Sequence, residues 1–164
     1  MDSSNWKSNR TRDSQRSWDR HEDYSYRDQF QQYLESYVKK GTDDLGSIFS
    51  LKGKINDMAV KANIPNSQLR KFFDKFLLIY DEFTSSKSQG EIDKRKKTTI
   101  EELYKILYIA SYTGNKNNSP GIKYYFIIFF DNIVKELEKS NSMQFDSMLE
   151  RFYRVLEAWV AYSK

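Results

Sequence analysis

The chain has 164 residues and carries 27 Lys and Arg against 23 Asp and Glu, which gives a formal net charge of +4. It contains no cysteine, and this excludes disulfides, thiolate metal sites and cysteine nucleophiles. Only 38% of the residues are hydrophobic, but 16% are aromatic. Because aromatic side chains bury large areas, the length predicts one domain with a sizeable core, with or without a tail.

Residues 1–25 have no apolar period and alternate charged side chains with Ser and Asn, which predicts a disordered charged tail. The tail contains His21, the only histidine, and one histidine in such a segment can neither be oriented as a base nor build a metal shell. The N-terminus has no basic-then-apolar export signal. The longest apolar run, Tyr124 to Phe130, is shorter than the roughly 20 residues of a membrane span, so we expect no membrane association.

Residues 26–164 are predicted to form a helical bundle domain. Its first helix covers about Tyr26 to Lys40, where apolar side chains recur at helical spacing. A second helix is predicted from Asp43 to Ala62, although Gly46 and Gly53 inside it weaken that prediction.

The strongest helical pattern is the stretch from Ile64 to Phe83. Pro65 ends the preceding segment, and Asn66 or Ser67 can cap the new helix. Apolar side chains form one stripe along this helix and are expected to face a core. These side chains are Leu69, Phe72, Phe73, Phe76, Leu77, Tyr80 and Phe83.

Arg70 and Lys71 lie in the first turn of this predicted helix. The helix dipole disfavours cations there, but two cations beside unpaired backbone N–H groups can hold a phosphate. The alternative is that both are solvated surface charges, with Arg70 paired to Asp74 one turn later.

A basic loop is predicted from residue 85 to residue 99, with the sequence SSKSQGEIDKRKKTT. Such a loop can approach a phosphate backbone without reading sequence, or it can be a connector that its charges keep solvated. Thr99 and Glu102 form a capping-box pair, which predicts a fourth helix from Thr99 to about Tyr112.

A turn is predicted from Thr113 to Gly121, with Ser119 and Pro120 capping a fifth helix. This helix is apolar nearly all round between Tyr124 and Val134, so we expect it to be the most buried; its helical flank disfavours a β-strand. The last helix is predicted from about Gln144 to Tyr162. The fold class is therefore all-α, a compact bundle of five to six helices with a disordered N-terminal tail.

The sequence offers no convincing catalytic constellation. It has no Gly-rich phosphate loop, no GxSxG and no HExxH. Acidic pairs such as Asp43-Asp44 and Glu101-Glu102 fit helix starts, where the dipole favours them, although a metal-dependent carboxylate site remains formally open. We therefore predict a binding protein with no catalytic residues, cofactor, metal or small-molecule substrate.

Three stretches, in the same order, resemble the small subunit of the type III-A CRISPR effector complex, the Csm small-subunit family. Residues 66–72, NSQLRKF, are similar to its Ser/Thr-rich cap followed by an x-Leu/Ile-Arg-x-hydrophobic pattern. Residues 107–111, LYIAS, are similar to a segment of Tyr and small residues that closes a helix. Residues 151–162, RFYRVLEAWVAY, match the C-terminal Arg-Phe-x-Arg and Glu-Ala-x-Val-Ala-Tyr pattern.

This resemblance implies a non-catalytic subunit in the prokaryotic cytoplasm that acts in antiviral defence. Several copies would stack head to tail beside the backbone and large subunits of the complex. They would line the channel in which guide RNA pairs with target RNA, and would hold mainly the target RNA by its backbone. Cleavage would be done by other subunits.

The resemblance places RNA contacts on a small set of cations. Arg70 and Lys71 fall on the cap motif, and Arg151 and Arg154 on the C-terminal pattern, where ion pairs with Glu150 and Glu157 and contacts between stacked subunits are alternatives. Many family members have Arg where this chain has Tyr112. Either that contact is lost, or the nearby Lys116 and Lys123 replace it and Tyr112 can stack on a base.

Two other classes remain open. One is a helical scaffold or adaptor that binds only proteins, with its positive charge incidental. The other is a DNA-binding helix-turn-helix domain, which the predicted gap of 15 residues after the Ile64–Phe83 helix disfavours, because that motif uses a turn of about 3–4 residues.

Overall fold

The structure, a computed structural model, describes residues 29–85 and 92–164. Within these two ranges every regular element is helical and there is no β-strand, so the all-α prediction is confirmed. The tail predicted for residues 1–25 lies outside the described residues.

Seven helices follow one another in the described ranges, and a π-helical turn leads directly into the sixth. The helices are α1 (29–40), α2 (Leu45–Phe49), α3 (Lys54–Ala62), α4 (Asn66–Ser85), α5 (Ile92–Lys116), α6 (Ile127–Lys139), preceded by the π-turn (Ile122–Phe126), and α7 (Ser142–Tyr162).

The single helix predicted from Asp43 to Ala62 is wrong, because the chain breaks between α2 and α3. Ser50 and Gly53 both have extended backbone, with ψ of 168° and 174°. A Cβ on Gly53 would lie 2.6 Å from the carbonyl oxygen of Ile48, so the tight approach of the chain at this break requires glycine.

The predicted basic loop is also partly wrong, because α5 begins at Ile92 rather than at Thr99. Thr99 is buried in the helix interior and therefore is not its N-cap. Two basic side chains of this first part of α5 bind the carboxyl ends of other helices. Arg95 donates to the carbonyl of Phe83 at 2.7 Å, and Lys96 donates to the carbonyl of Ser140 after α6. The rest of the predicted loop, residues 86–91, lies outside the described residues.

The stripe predicted on α4 packs into an aromatic core, as expected. Leu69, Phe72, Phe76 and Phe83 are buried, while the other predicted stripe residues are partly buried. The ring of Phe76 meets the ring of Phe152 in α7 edge to face, with centroids 5.0 Å apart. Such pairs add to the stability already gained by burying the rings, by about 0.5–1.5 kcal/mol each.

Helix α4 runs antiparallel to both α5 and α7. Near its carboxyl end, Phe83 packs on Phe145 in the second turn of α7, with ring centroids 5.2 Å apart. At its amino end, the side-chain amide of Asn66 donates to the carbonyl of Val160 at 2.8 Å. Asn66 was expected to precede α4 and cap it, but it is the first residue of the helix, and its side chain instead satisfies a carbonyl at the end of α7.

The turn after α5 packs against the end of α3. Helix α5 continues to Lys116, beyond the predicted end at Tyr112, and Ser119 accepts a hydrogen bond from the backbone N–H of Ile122 at 3.3 Å, as predicted for a cap. A Cβ on Gly121 would lie 2.1 Å from the carbonyl oxygen of Ala62, so only glycine fits there. One end of the bundle thus gathers the carboxyl ends of α3, α5 and α7 with the amino ends of α4 and the π-turn.

Candidate nucleic-acid interface

Four of the six predicted site residues come together at this end of the bundle. Arg70 and Lys71 are exposed and are the fifth and sixth residues of α4, just beyond the first turn in which the sequence placed them. Lys116 closes α5 with its ammonium 5.9 Å from the ring centroid of Tyr112. Lys123 is the second residue of the π-turn and donates to the side-chain oxygen of Asn118 at 3.1 Å.

Arg151 lies elsewhere and is used by the fold. Its Nε donates to the carbonyl of Val38 at 2.7 Å, and its Nη2 donates to the carbonyl of Lys39 at 3.1 Å. These carbonyls end α1, where the last four C=O groups of a helix lack partners and a cation is favoured. Arg151 is half-buried and holds α1 against α7. This role was not among those predicted from the sequence, which included RNA contact and ion pairing with a neighbouring Glu.

Arg154 is exposed one turn further along α7. It lines a groove between α7 and the α1–α2 segment, together with Leu45 and Glu157. Its guanidinium lies 5.8 Å from the ring centroid of Tyr153, and the hydrogen bond to Glu157 raises the pKa of that Tyr153 hydroxyl. Arg154 is therefore accessible to a ligand, at the middle of α7 rather than at the end of the bundle.

This end of the bundle is also distinguished by the absence of acidic side chains. Residues 58–73, 103–130 and 158–164 form the half of the bundle nearest to it, and they contain no Asp or Glu. They contain seven cations, which are Lys61, Arg70, Lys71, Lys105, Lys116, Lys123 and Lys164. Sequence reasoning missed Lys61 and Lys164, because the signal was an absence of carboxylates in three segments that only the fold brings together.

We call six of these residues the basic end: Lys61, Arg70, Lys71, Lys116, Lys123 and Lys164. If these six residues and Lys105 are left out of the chain's 27 Lys and Arg, 20 remain against 23 Asp and Glu. The positive excess of the chain is therefore concentrated in one half of the bundle. A field of one sign attracts a polyanion from a distance and is screened by salt.

Residues 29–85 and 92–164 hold no group of three or more His, Asp or Glu side chains placed to bind a metal ion. Across the same ranges, each helix is too short or too polar to cross a bilayer.

Comparison with known proteins identifies the family. The family model described as Csm2, Type III-A, matches residues 43–164, which is well over half of the chain and includes every residue of the basic end. No curated protein and no solved structure matches this chain. The chain belongs to the Csm2 family and is a small subunit of a type III-A CRISPR effector complex, in which it assembles with other subunits.

Proposed function

We propose that this subunit lines the channel for guide RNA and target RNA and uses the basic end to hold RNA by its phosphate backbone. The observation that carries the proposal is the gathering of six cations from separate segments in a half-bundle without an Asp or Glu side chain. In this role the subunit binds rather than cuts, without a cofactor, and serves antiviral defence from the cytoplasm through the chemistry of other subunits.

The arrangement suits sequence-independent binding. Ammonium and guanidinium groups on exposed helix ends meet phosphate oxygens, which are the same in every nucleotide. Arg70 and Lys71 also lie near the amino end of α4, where the helix dipole is positive, although the backbone N–H groups of Asn66, Gln68 and Leu69 already donate to carbonyls of the protein. The carbonyls that end α5 and α7 point to the same region, so the lysines there also offset the negative ends of those helices.

Fluorescence anisotropy with a labelled single-stranded RNA of about 40 nucleotides across a salt series tests the proposal. We expect binding that weakens steeply as salt rises and that exceeds binding to duplex DNA of the same length. Each phosphate contact on a single strand contributes about −0.7 to the slope of log K against log salt. Absence of RNA binding even at low salt would contradict the proposal.

The variant to compare is Arg70→Glu with Lys71→Glu. We expect it to weaken binding at all RNA sequences and to make the salt slope shallower by about 1.4, because two contacts are lost. The matched control is Lys97→Glu with Lys139→Glu, two exposed lysines at the opposite end, on α5 and α6. Both variants lower the formal charge from +4 to zero, so equal losses in both would assign the effect to net charge rather than to the basic end.

A scaffold that contacts only proteins is favoured by a different surface. Between α4 and α5 runs a groove of about 340 Å³ in which Leu78 is 71% exposed and Ile109 is 39% exposed. Other subunits or a second copy could pack there. If charge reversal at the basic end left both RNA binding and assembly with the complex unchanged, this reading would replace the first.

A further inference from the structure

The outer face of α5 carries two exposed tyrosines that phosphate binding does not explain. Lys105, Tyr108, Tyr112 and Lys116 lie at successive offsets of three, four and four residues, which places them on one stripe of the helix. We call these four residues the tyrosine stripe. Tyr108 is 70% exposed and Tyr112 is 67% exposed, although large aromatic side chains usually bury much of their surface.

Between residues 103 and 130 the chain around the two rings is positive or neutral, and the carboxylates of α5 nearest to the stripe, Glu101 and Glu102, lie beyond Lys105. No Asp or Glu occurs from residue 103 to residue 130, and the ammonium of Lys116 lies 5.9 Å from the centroid of the Tyr112 ring. The nearest carboxylates on α6 are engaged, since Asp131 pairs with Lys135 at 2.8 Å and Glu138 accepts from Tyr104 at 3.0 Å. Lys105 pairs with Glu102 at 2.6 Å on the exposed surface, where a phosphate can compete with this carboxylate.

We propose that Tyr108 and Tyr112 stack on two successive bases of unpaired RNA, while Lys105 and Lys116 hold the flanking phosphates. Residues four apart on a helix are separated by about 6 Å along its axis, which suits the bases of a stretched single strand. Exposed rings with cations beside them are the usual means of binding single strands without sequence preference. The faces of a base in a duplex are already covered by the neighbouring base pairs, so the two rings select unpaired RNA.

The proposal rests on RNA binding by this subunit and goes beyond it, because the basic end recognises phosphates and the stripe recognises bases. The test compares labelled oligoadenylate of about 12 nucleotides with an abasic RNA backbone of the same length. The full-length protein is used as wild type, as Tyr108→Ala with Tyr112→Ala, and as Tyr108→Phe with Tyr112→Phe. Tyr33→Ala serves as the control, since Tyr33 is a partly exposed tyrosine on α1.

We expect the double alanine variant to lose oligoadenylate affinity by about tenfold for each ring, as stacking on one base is worth about 1–3 kcal/mol. Its affinity for the abasic backbone should stay within about twofold of wild type, because the cations remain. The phenylalanine variant should bind oligoadenylate like wild type, since it keeps both rings, and so should Tyr33→Ala.

Three outcomes would overturn the proposal. If wild type binds the abasic backbone as tightly as oligoadenylate, the subunit holds phosphates only, and the proposed function stands without stacking. If the double alanine variant keeps its RNA affinity but loses self-association in sedimentation, the stripe is a contact between copies. If wild type binds neither RNA at low salt, both the stripe and the proposed function fail.

Discussion

Replacing Arg151 by methionine separates a structural role from an RNA contact. The substitution keeps much of the length of the side chain but removes the two hydrogen bonds to the carbonyls of Val38 and Lys39. Nothing else on α7 replaces them at the end of α1. We therefore expect Arg151→Met to destabilise the bundle and to leave RNA affinity unchanged in the folded protein.

The magnitude follows from the geometry. Hydrogen bonds to a charged group contribute about 1.5–3 kcal/mol each, and the charge itself adds about 0.3–1 kcal/mol at a helix carboxyl end. Because Arg151 is half-buried, water replaces part of this, and we expect a net loss of about 2–3 kcal/mol. For a domain of this size that lowers the melting temperature by roughly 4–12 °C.

Thermal unfolding followed by circular dichroism measures this loss, and anisotropy on the same samples measures RNA binding. The control is Arg154→Met, which removes an exposed arginine one turn away and should change stability by less than about 0.5 kcal/mol. Arg151→Met with a wild-type melting temperature and weakened RNA binding would refute the structural assignment.

Two further substitutions test the packing of the fold. Gly121→Ala should lower the free energy of unfolding, measured in urea, by about 2–3 kcal/mol, because the new Cβ would lie 2.1 Å from the Ala62 carbonyl oxygen. The control is Gly46→Ala, where the nearest atom is 3.8 Å away and the change should be less than about 1 kcal/mol. Equal urea midpoints for the two variants would contradict this prediction. Burial raises the pKa of Tyr37 above 10.0, so this tyrosine ionises at lower pH in the unfolded chain than in the folded protein. The free energy of unfolding should therefore be unaffected by this group at neutral pH and should fall as pH rises above 10.0. A smaller fall in Tyr37→Phe would assign part of the loss to Tyr37, and an identical fall would exclude it.

The sequence predicted the helices wherever the apolar period was long. The stripe of α4 and the Ser119 cap were correct because each depends on residues close in sequence. The start of α5 was wrong for the opposite reason. Thr99 matched a local capping pattern, but α5 begins at Ile92, and Arg95 and Lys96 in its first part bind the carbonyls that end α4 and α6, up to 44 residues away.

The same distinction applies to the candidate site. Arg70 and Lys71 lie where the pattern of α4 put them, since a helix start can be recognised locally. Arg151 could not be assigned in this way, because the Val38 carbonyl that it binds lies 113 residues away in sequence. A match to a family pattern therefore locates an arginine but does not decide whether it serves the RNA or the fold.

The basic end shows how a bundle with a modest net charge can present a concentrated positive surface. The chain as a whole carries only +4, which would give a weak field if it were spread evenly. Because three segments contain no Asp or Glu, the positive charge is concentrated where they meet, and the chain needs no additional lysines, which would repel one another. Since those segments meet only when α3, α5 and α7 end together, charge reversal at Arg70 and Lys71 should weaken RNA binding more in the folded bundle than in a urea-unfolded chain, where the cations are dispersed.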